Sequence, residues 1–385
     1  MSLLLHTEDG GKELANYYIR AFADAVELFI VTAYFTDWDA SLILNPDCQN
    51  FRVIIGKDFG ITRKAVCEKL MRWLPSKRKG QFMVADGISG FHPKCVFWKE
   101  KTGLSYAVVG YSNLTRAAFT SNYEANVYCT LSVDEYAEAK RWVKRIESQS
   151  VPVSEDWLKK YKEARPAGRR GSSRHKLGVQ AVTPLLEIKL PKPRGMIAKI
   201  TQRRHQLAAY KNTCDGLMLL FRRCASGDIS SGQFYHELPQ YWSHSVGDRL
   251  QGKGFEIKGK NGDFQALSKS FVRILDATID NRDDVVVEEI DRLSELRVPT
   301  RQAFLTEMLC LRFPEYYPVL NKPVQDYIRA IKFKGPRGSS KGVQYIDLAI
   351  KLRHSLRQDP DYPAKNLAEL DTVIWLKYGL SLIHI

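Results

Sequence analysis

The chain has 385 residues, of which 44% are hydrophobic and 26% are charged, a composition typical of a folded globular protein of two domains. No run of about 18 apolar residues occurs, which argues against a membrane-spanning helix. The opening stretch MSLLLHTEDGGKE has too few apolar residues for a signal peptide. The seven cysteines are scattered without close pairing, which favours the cytoplasm over a disulfide framework or a zinc site.

The net charge of +15 is concentrated in one segment of the chain. Residues 164–212 contain 12 Lys and Arg residues against the single acid Glu187, whereas the sequence on either side is close to neutral. A localised basic segment is typical of a surface that binds a polyanion. Three interpretations stay open at this point: a phosphate-rich partner, a solvated basic linker and a membrane surface.

The first 150 residues alternate between helical and extended patterns. Apolar residues at helical spacing predict helices over 11–27, 61–74 and 133–150. Runs rich in β-branched and aromatic residues predict strands over 28–36, 51–56, 81–86, 91–100, 104–113 and 124–132. Strands that alternate with helices predict an α/β sandwich with a mixed sheet.

The composition and hydrophobic pattern of the sequence change after a further predicted helix over 155–164. Residues 166–178 are rich in Gly, Ser, Pro and Arg and have no hydrophobic period, which is typical of a linker. Helical spacing dominates the remainder, with a hairpin predicted near 252–259. The predicted organisation is an α/β domain over 1–163, a basic linker over 164–195 and a mostly α-helical C-terminal domain over 196–385.

Polar residues recur at the ends of the predicted strands in the α/β half. Residues two apart on a strand project from the same face, and polar groups within buried strands are costly unless they are satisfied or used. The pairs His92 with Lys94 and Asn122 with Glu124 have this spacing, while Gly110 and Asn113 end the strand between them. An imidazole, an ammonium, amides and a carboxylate together offer a nucleophile, a cation and orienting groups.

The order of these residues resembles the signature of the phospholipase D superfamily. That signature reads His-x-Lys, then a Gly-Ser-x-Asn turn, then a downstream acid; here the text is His92-Pro93-Lys94, Gly110-Tyr111-Ser112-Asn113 and Asn122-Tyr123-Glu124. Two departures stand out: Tyr111 occupies the position of the family's Ser, with Ser112 next to it, and the Asp that often follows the Lys is absent. The resemblance covers the α/β half only.

The resemblance implies a metal-independent phosphodiesterase that needs no cofactor. His92 would form a phosphohistidine, Lys94 and Asn113 would hold the nonbridging oxygens, and Glu124 would accept the other ring N–H of His92. The resemblance also implies that the substrate phosphate is bound with the help of Gly110, Ser112 and Asn122. Because only one His-x-Lys pair occurs, it implies a homodimer through the N-terminal domain that brings two copies of His92 into one site.

Single-unit members of the superfamily with an extra C-terminal domain resemble nucleases, including restriction endonucleases. Together with the basic segment, this predicts a cytoplasmic endonuclease that cleaves DNA in restriction or anti-phage defence, alongside a partner protein and without a membrane partner. RNA as a substrate, a phospholipid-acting enzyme and a catalytically silent nucleic-acid binder stay open as alternatives. The side chains predicted to contact DNA are Arg169, Arg170, Arg174, Lys176, Arg203 and Arg204.

Overall fold

A computed structural model of the chain describes residues 1–6, 12–164, 184–186, 188–250, 262–299 and 301–379. It divides into two compact units, one formed by Met1–Leu186 with Pro336–Ser339 and the other by Glu187–Gly335 with Ser340–Ile385. The hairpin predicted near 252–259 and the stretch 166–178 lie outside the described residues.

Among the described residues, the first unit contains one eight-stranded mixed sheet with the order β1-β7-β6-β5-β2-β3-β4-β8. Strands β2, β3 and β4 pair in parallel and the other neighbours pair antiparallel. Every residue of β3 is buried, as expected for a strand covered on both faces. The strands are β1 (Ser2–His6), β2 (Ala25–Thr32), β3 (Asn50–Ile55), β4 (Phe82–Val84), β5 (Lys94–Glu100), β6 (Ser105–Gly110), β7 (Glu124–Leu131) and β8 (Val151–Pro152).

Helices accompany this sheet, and their ends follow from local sequence. Helix α4 begins at a capping box in which Ser132 and Glu135 satisfy each other's backbone N–H groups. A buried ion pair between Arg52 on β3 and Glu147, with Nε and Oε1 2.8 Å apart, ties α4 to the sheet. The helices are α1 (Lys12–Asp24), α2 (Lys64–Trp73), α3 (Arg116–Thr120), α4 (Val133–Glu147) and α5 (Glu155–Lys160).

The mixed α/β architecture predicted for this half is confirmed, and the helical character of the C-terminal part is confirmed as well. The sequence patterns did not predict the edge strands β1 and β8, because these strands are too short to show a clear hydrophobic pattern. The second unit packs its helices around apolar clusters that include Phe221, Phe271 and Phe304. Its helices are α6 (Met196–Ser226), α7 (Ser231–Glu237), α8 (Phe264–Asp276), α9 (Arg282–Glu295), α10 (Arg301–Arg312), α11 (Lys322–Ala330), α12 (Lys341–Gln358) and α13 (Leu367–Tyr378).

Candidate active site

Four strand ends meet at one edge of the sheet, and those of β5, β6 and β7 carry the polar residues singled out in the sequence. Thr32, at the end of β2, pairs with Lys94 at the start of β5. Gly110, at the end of β6, pairs with Asn126 near the start of β7. Because β5 and β6 are antiparallel neighbours, the start of one strand lies beside the end of the other. The sheet topology therefore brings residues that are distant in sequence to a single edge.

His92 and Lys94 are in direct contact at this edge. The ammonium Nζ of Lys94 lies 2.9 Å from His92 Nδ1 and 3.2 Å from His92 Nε2, and it donates to the His92 carbonyl oxygen at 3.1 Å. An ammonium has donors only, so it can hydrogen-bond the ring only through a nitrogen that carries no proton. The His92 side chain is exposed, which leaves the imidazole open to a substrate.

The position of His92 differs in one respect from the prediction. Strand β5 begins at Lys94, so His92 precedes the strand instead of lying on it. The backbone is nevertheless held in place, because Ala33 N donates to the Pro93 carbonyl oxygen at 2.8 Å and continues the pairing of β2 with β5. This bond fixes the segment that carries His92.

Lys94 is a buried cation with an environment that shifts its titration. Burial lowers the pKa of Lys94, and the negative charge of Glu124 opposes that shift. The rings of Tyr34 and Tyr111 flank the ammonium, with centroids 6.0 Å and 5.8 Å from Nζ. The Tyr111 departure from the family pattern therefore places an aromatic ring beside the lysine.

Asn113 is oriented by its amide oxygen. Asn113 Oδ1 accepts from Tyr34 N at 3.1 Å and from the Thr32 hydroxyl at 3.3 Å. Both donors belong to the end of β2 and the residues after it, so the amide is anchored to the centre of the sheet. With the oxygen occupied, the NH₂ group is the part of this side chain available to donate to an anion.

Glu124 is the centre of a small hydrogen-bonded network at the start of β7. Its carboxylate accepts from the Ser112 hydroxyl at 3.1 Å and from Asn122 Nδ2 at 3.0 Å. The Ser112 hydroxyl in turn accepts from Asn126 Nδ2 at 2.8 Å. The hydrogen bond predicted between Glu124 and His92 stays a prediction. Asn122, which was predicted to bind phosphate, donates to Glu124, and its contact with phosphate also stays a prediction.

Ser112 and Gly110, which were predicted to bind phosphate, have structural roles. Ser112 is 6% exposed, and its hydroxyl is occupied as donor and as acceptor within this network, so we propose no phosphate contact for it. At Gly110, an added Cβ would lie 2.4 Å from Asn126 Oδ1 and 2.5 Å from the Ala125 carbonyl oxygen. The close approach of strand β7 is therefore enough to require glycine at this position.

The basic residues predicted to contact DNA divide into two groups. Arg169, Arg170, Arg174 and Lys176 lie outside the described residues. Arg203 is 3% exposed and pairs with Asp371 at 3.2 Å within the helical unit, so we propose no DNA contact for it. Arg204 binds both carboxylate oxygens of Glu369, at 2.8 Å and 3.1 Å.

Thr32, Tyr34 and Asn126 support the site but were not identified from the sequence. Thr32 and Tyr34 lie in the apolar run LFIVTAYFT, where a threonine and a tyrosine are ordinary strand residues. Only the hydrogen bonds to the Asn113 amide oxygen show that they hold this side chain. Asn126 follows Glu124 at strand spacing, and that spacing was the one signal that could have pointed to it.

Two other kinds of feature are absent from the described ranges. These ranges contain no group of three or more His, Cys, Asp or Glu side chains arranged to hold a metal ion. Likewise, none of the helices within those ranges combines the length and apolar character that crossing a bilayer requires.

Comparisons with known proteins give little further information. No family model matches the chain, and no curated protein matches it. Among solved structures, NucT from Helicobacter pylori is similar over 40% of this chain and 98% of its own length, with 17% sequence identity and a TM-score of 0.31. A likeness at this level carries no argument about function, so the interpretation of the site depends on its geometry.

Proposed function

We propose that the chain is a phosphodiesterase of the phospholipase D type that cleaves DNA through a phosphohistidine. The single observation that supports this most is the contact of the Lys94 ammonium with the His92 ring, at 2.9 Å and 3.2 Å. This pair combines a nucleophile with a buried cation, and the anchored amide of Asn113 lies at the same sheet edge. Such a set fits an anionic tetrahedral substrate.

In the proposed first step, a lone pair of the His92 ring attacks phosphorus and the bond from phosphorus to the leaving oxygen breaks. Lys94 and the NH₂ group of Asn113 neutralise the charge on the nonbridging oxygens. Binding of phosphate draws the Lys94 ammonium from the imidazole to the oxygens, which frees the ring nitrogen. In the second step, water attacks phosphorus, the bond from phosphorus to nitrogen breaks and His92 is regenerated.

A second imidazole completes this scheme, because the leaving oxygen must receive a proton and the attacking water must lose one. We propose that it is His92 of a second copy of the chain, related by a two-fold axis. Glu124 is proposed to orient one of the two rings.

An exposed apolar face of the sheet supports the dimer. It lies opposite the face that carries Lys94 and reaches the site at Tyr111, whose ring centroid is 5.8 Å from the Lys94 ammonium. Leu3 on β1 and Val109 on β6 both pair with Val127 on β7, so their side chains lie in one row on the same face. In the next row on this face, Leu5 pairs with Ala125, whose carbonyl oxygen accepts from Tyr111 N. Four residues of this face are largely exposed: Leu3 by 65%, Leu5 by 70%, Val109 by 46% and Tyr111 by 69%.

DNA is proposed as the substrate because of the charge of the chain. Residues 164–212 contain 12 Lys and Arg residues and one acid, and each phosphate that they neutralise adds salt-dependent affinity. The helical unit is proposed to act in DNA recognition or in control of the nuclease, and a role in restriction or anti-phage defence is part of the same proposal.

A phospholipid-acting enzyme is the second candidate, and the exposed apolar face of Leu3, Leu5, Val109 and Tyr111 favours it. Such a face could lie against the surface of a lipid aggregate as well as against a second copy.

One experiment separates these candidates. The purified chain is offered plasmid DNA and phosphatidylcholine vesicles side by side, with EDTA present. We expect cleavage of DNA that is lost in His92→Ala and kept in His236→Ala, a matched variant at an exposed histidine of the helical unit. Hydrolysis of the lipid alone would replace the proposal by the second candidate. Binding of DNA without cleavage would show a silent nucleic-acid binder.

A further inference from the structure

Phe59 has a backbone conformation that a phenylalanine disfavours. Its φ of 60° and ψ of 1° lie in the left-handed region, where a Cβ approaches the following carbonyl group too closely. The residue is 64% exposed, so burial of the ring contributes little to offset the strain. Neither backbone preference nor hydrophobic packing explains why a phenylalanine stands here.

The other non-glycine residues with positive φ in the described ranges have a simple explanation. Arg297 and Lys332, with φ of 54° and 53°, come just after the ends of helices α9 and α11. A left-handed residue at that position commonly closes the last helical turn. Phe59 closes no α-helix; it lies inside the short turn Asp58–Gly60 after strand β3.

The turn around Phe59 is held firmly by its neighbours. Thr62 Oγ1 donates to the Gly56 carbonyl oxygen at 2.8 Å, and Ala164 N donates to the Gly60 carbonyl oxygen at 2.8 Å. A Cβ at Gly60 would lie 2.5 Å from Ala164 N, so the segment at Ala164 leaves no room for a larger residue at this end of the turn. The exposed ring is therefore presented by a fixed backbone.

This turn lies next to the candidate nucleophile. Phe91 N donates to Asp58 Oδ2 at 3.2 Å, which joins the residue before Phe59 to the residue before His92. The ring of Tyr34 stands edge-on to the His92 ring, with centroids 5.5 Å apart. Strained residues that the surroundings hold in place are concentrated at functional sites, and this one follows that pattern.

We propose that Phe59 is the surface on which an unpaired nucleobase next to the scissile phosphodiester stacks, so that the substrate is single-stranded or locally unpaired nucleic acid. The proposal rests on the proposed function. An aromatic ring stacks on any base, but a base within a duplex already has neighbours on both faces. Phosphate bound at Lys94 would place the adjoining nucleoside near this turn.

The surroundings of the ring favour a base over a lipid chain. Asp58 and Gly60 flank Phe59 in sequence, and Arg63 and Lys64 follow shortly after. A single exposed ring in a largely polar stretch of sequence matches one flat base beside a charged backbone, whereas an acyl chain requires a continuous apolar surface.

The test compares an oligothymidylate strand with a strand of equal length that has the same backbone and no bases, in DNA and RNA versions, with EDTA present. For the wild type, we expect kcat/KM on the base-bearing strand to exceed that on the abasic strand by about tenfold, and the single strand to be cleaved faster than its duplex. Phe59→Gly should bring the ratio of the two strands close to one. Leu104→Ala, an exposed apolar residue at the opposite end of β6, should keep the wild-type ratio.

A second measurement keeps the test decisive if activity falls for another reason. Glycine tolerates the left-handed conformation, so Phe59→Gly should raise the melting temperature, whereas a ring needed for folding would lower it. An unchanged strand ratio in Phe59→Gly, or equal cleavage of single strand and duplex by the wild type, would overturn the inference. So would dissociation of a wild-type dimer in Phe59→Gly, because the ring would then be a subunit contact.

Failure of the proposed function gives a different result, since the wild type would then cleave none of the strands. Binding of the base-bearing and abasic strands, followed by fluorescence anisotropy, would still decide whether Phe59 stacks on a base.

Discussion

Replacement of Thr32 by valine tests whether the centre of the sheet positions the phosphate-binding amide. Thr32 is 2% exposed. Its hydroxyl proton is shared between the Tyr34 carbonyl oxygen at 3.0 Å and Asn113 Oδ1 at 3.3 Å, and its oxygen accepts from Leu114 N at 3.3 Å. Valine has nearly the same shape but cannot make any of these bonds.

The size of the effect follows from these contacts. One lost hydrogen bond costs about 1 kcal/mol and a buried N–H left without an acceptor costs roughly 1–3 kcal/mol, so Thr32→Val should lower the free energy of unfolding by about 2–4 kcal/mol. Asn113 keeps its bond from Tyr34 N, so its amide should be loosened but not lost. We expect kcat to fall about tenfold, less than the roughly 10²–10³-fold loss expected for Asn113→Ala.

The assay combines cleavage of DNA in EDTA, at a temperature where circular dichroism shows the variants folded, with urea denaturation. Thr32→Ser should recover most of both losses, since it keeps the hydroxyl. Thr306→Val is the matched control: this threonine is 1% exposed, accepts from Leu320 N at 2.9 Å and lies in the helical unit. It should lose stability and keep kcat. A Thr32→Val variant with lower stability and unchanged kcat would refute the positioning role.

Three further predictions concern other parts of the chain. Burial raises the pKa of Glu307 to about 7. Above about pH 4.5 the unfolded chain releases this proton while the folded chain still holds it. The free energy of unfolding should therefore fall by of the order of 3 kcal/mol as the pH rises from about 4.5 to about 7. Urea titrations should show this slope flattened in Glu307→Gln, and an unaltered slope would assign it to other groups. Gly110→Ala should displace strand β7 and lower the urea midpoint by an amount equivalent to about 1–3 kcal/mol or more, while an unchanged midpoint would contradict the close approach. Charge reversal at Arg169, Arg170 and Arg174 should weaken DNA binding and flatten the dependence of affinity on salt concentration. The same salt dependence in the variant and the wild type would count against a phosphate contact.

The sequence predicted the central strands and the helices beside them because their apolar periods are strong. It also predicted the residues at the sheet edge, since His92, Lys94, Gly110, Asn113 and Glu124 stand at strand ends in a recognisable order. Short elements were missed because two to five residues do not establish a period.

Side-chain partners could not be predicted in the same way. The commitment of Ser112 to Glu124, and the burial of Arg203 against Asp371, depend on contacts between segments far apart in the chain. From the sequence alone, a serine in a turn and an arginine in a basic segment were equally consistent with phosphate binding. The strain at Phe59 also has no sequence signature, because it is a property of the turn that the neighbouring segments impose.

The central claim is that His92 bonds transiently to phosphorus, and one measurement addresses it directly. The chain is mixed with DNA in EDTA, quenched in alkali to preserve phosphohistidine, digested and analysed by mass spectrometry. We predict a phosphorylated adduct on the peptide that contains His92, absent in His92→Ala and present in His236→Ala. DNA cleavage that proceeds at the wild-type rate in His92→Ala, or an adduct that maps to another residue, would contradict the account.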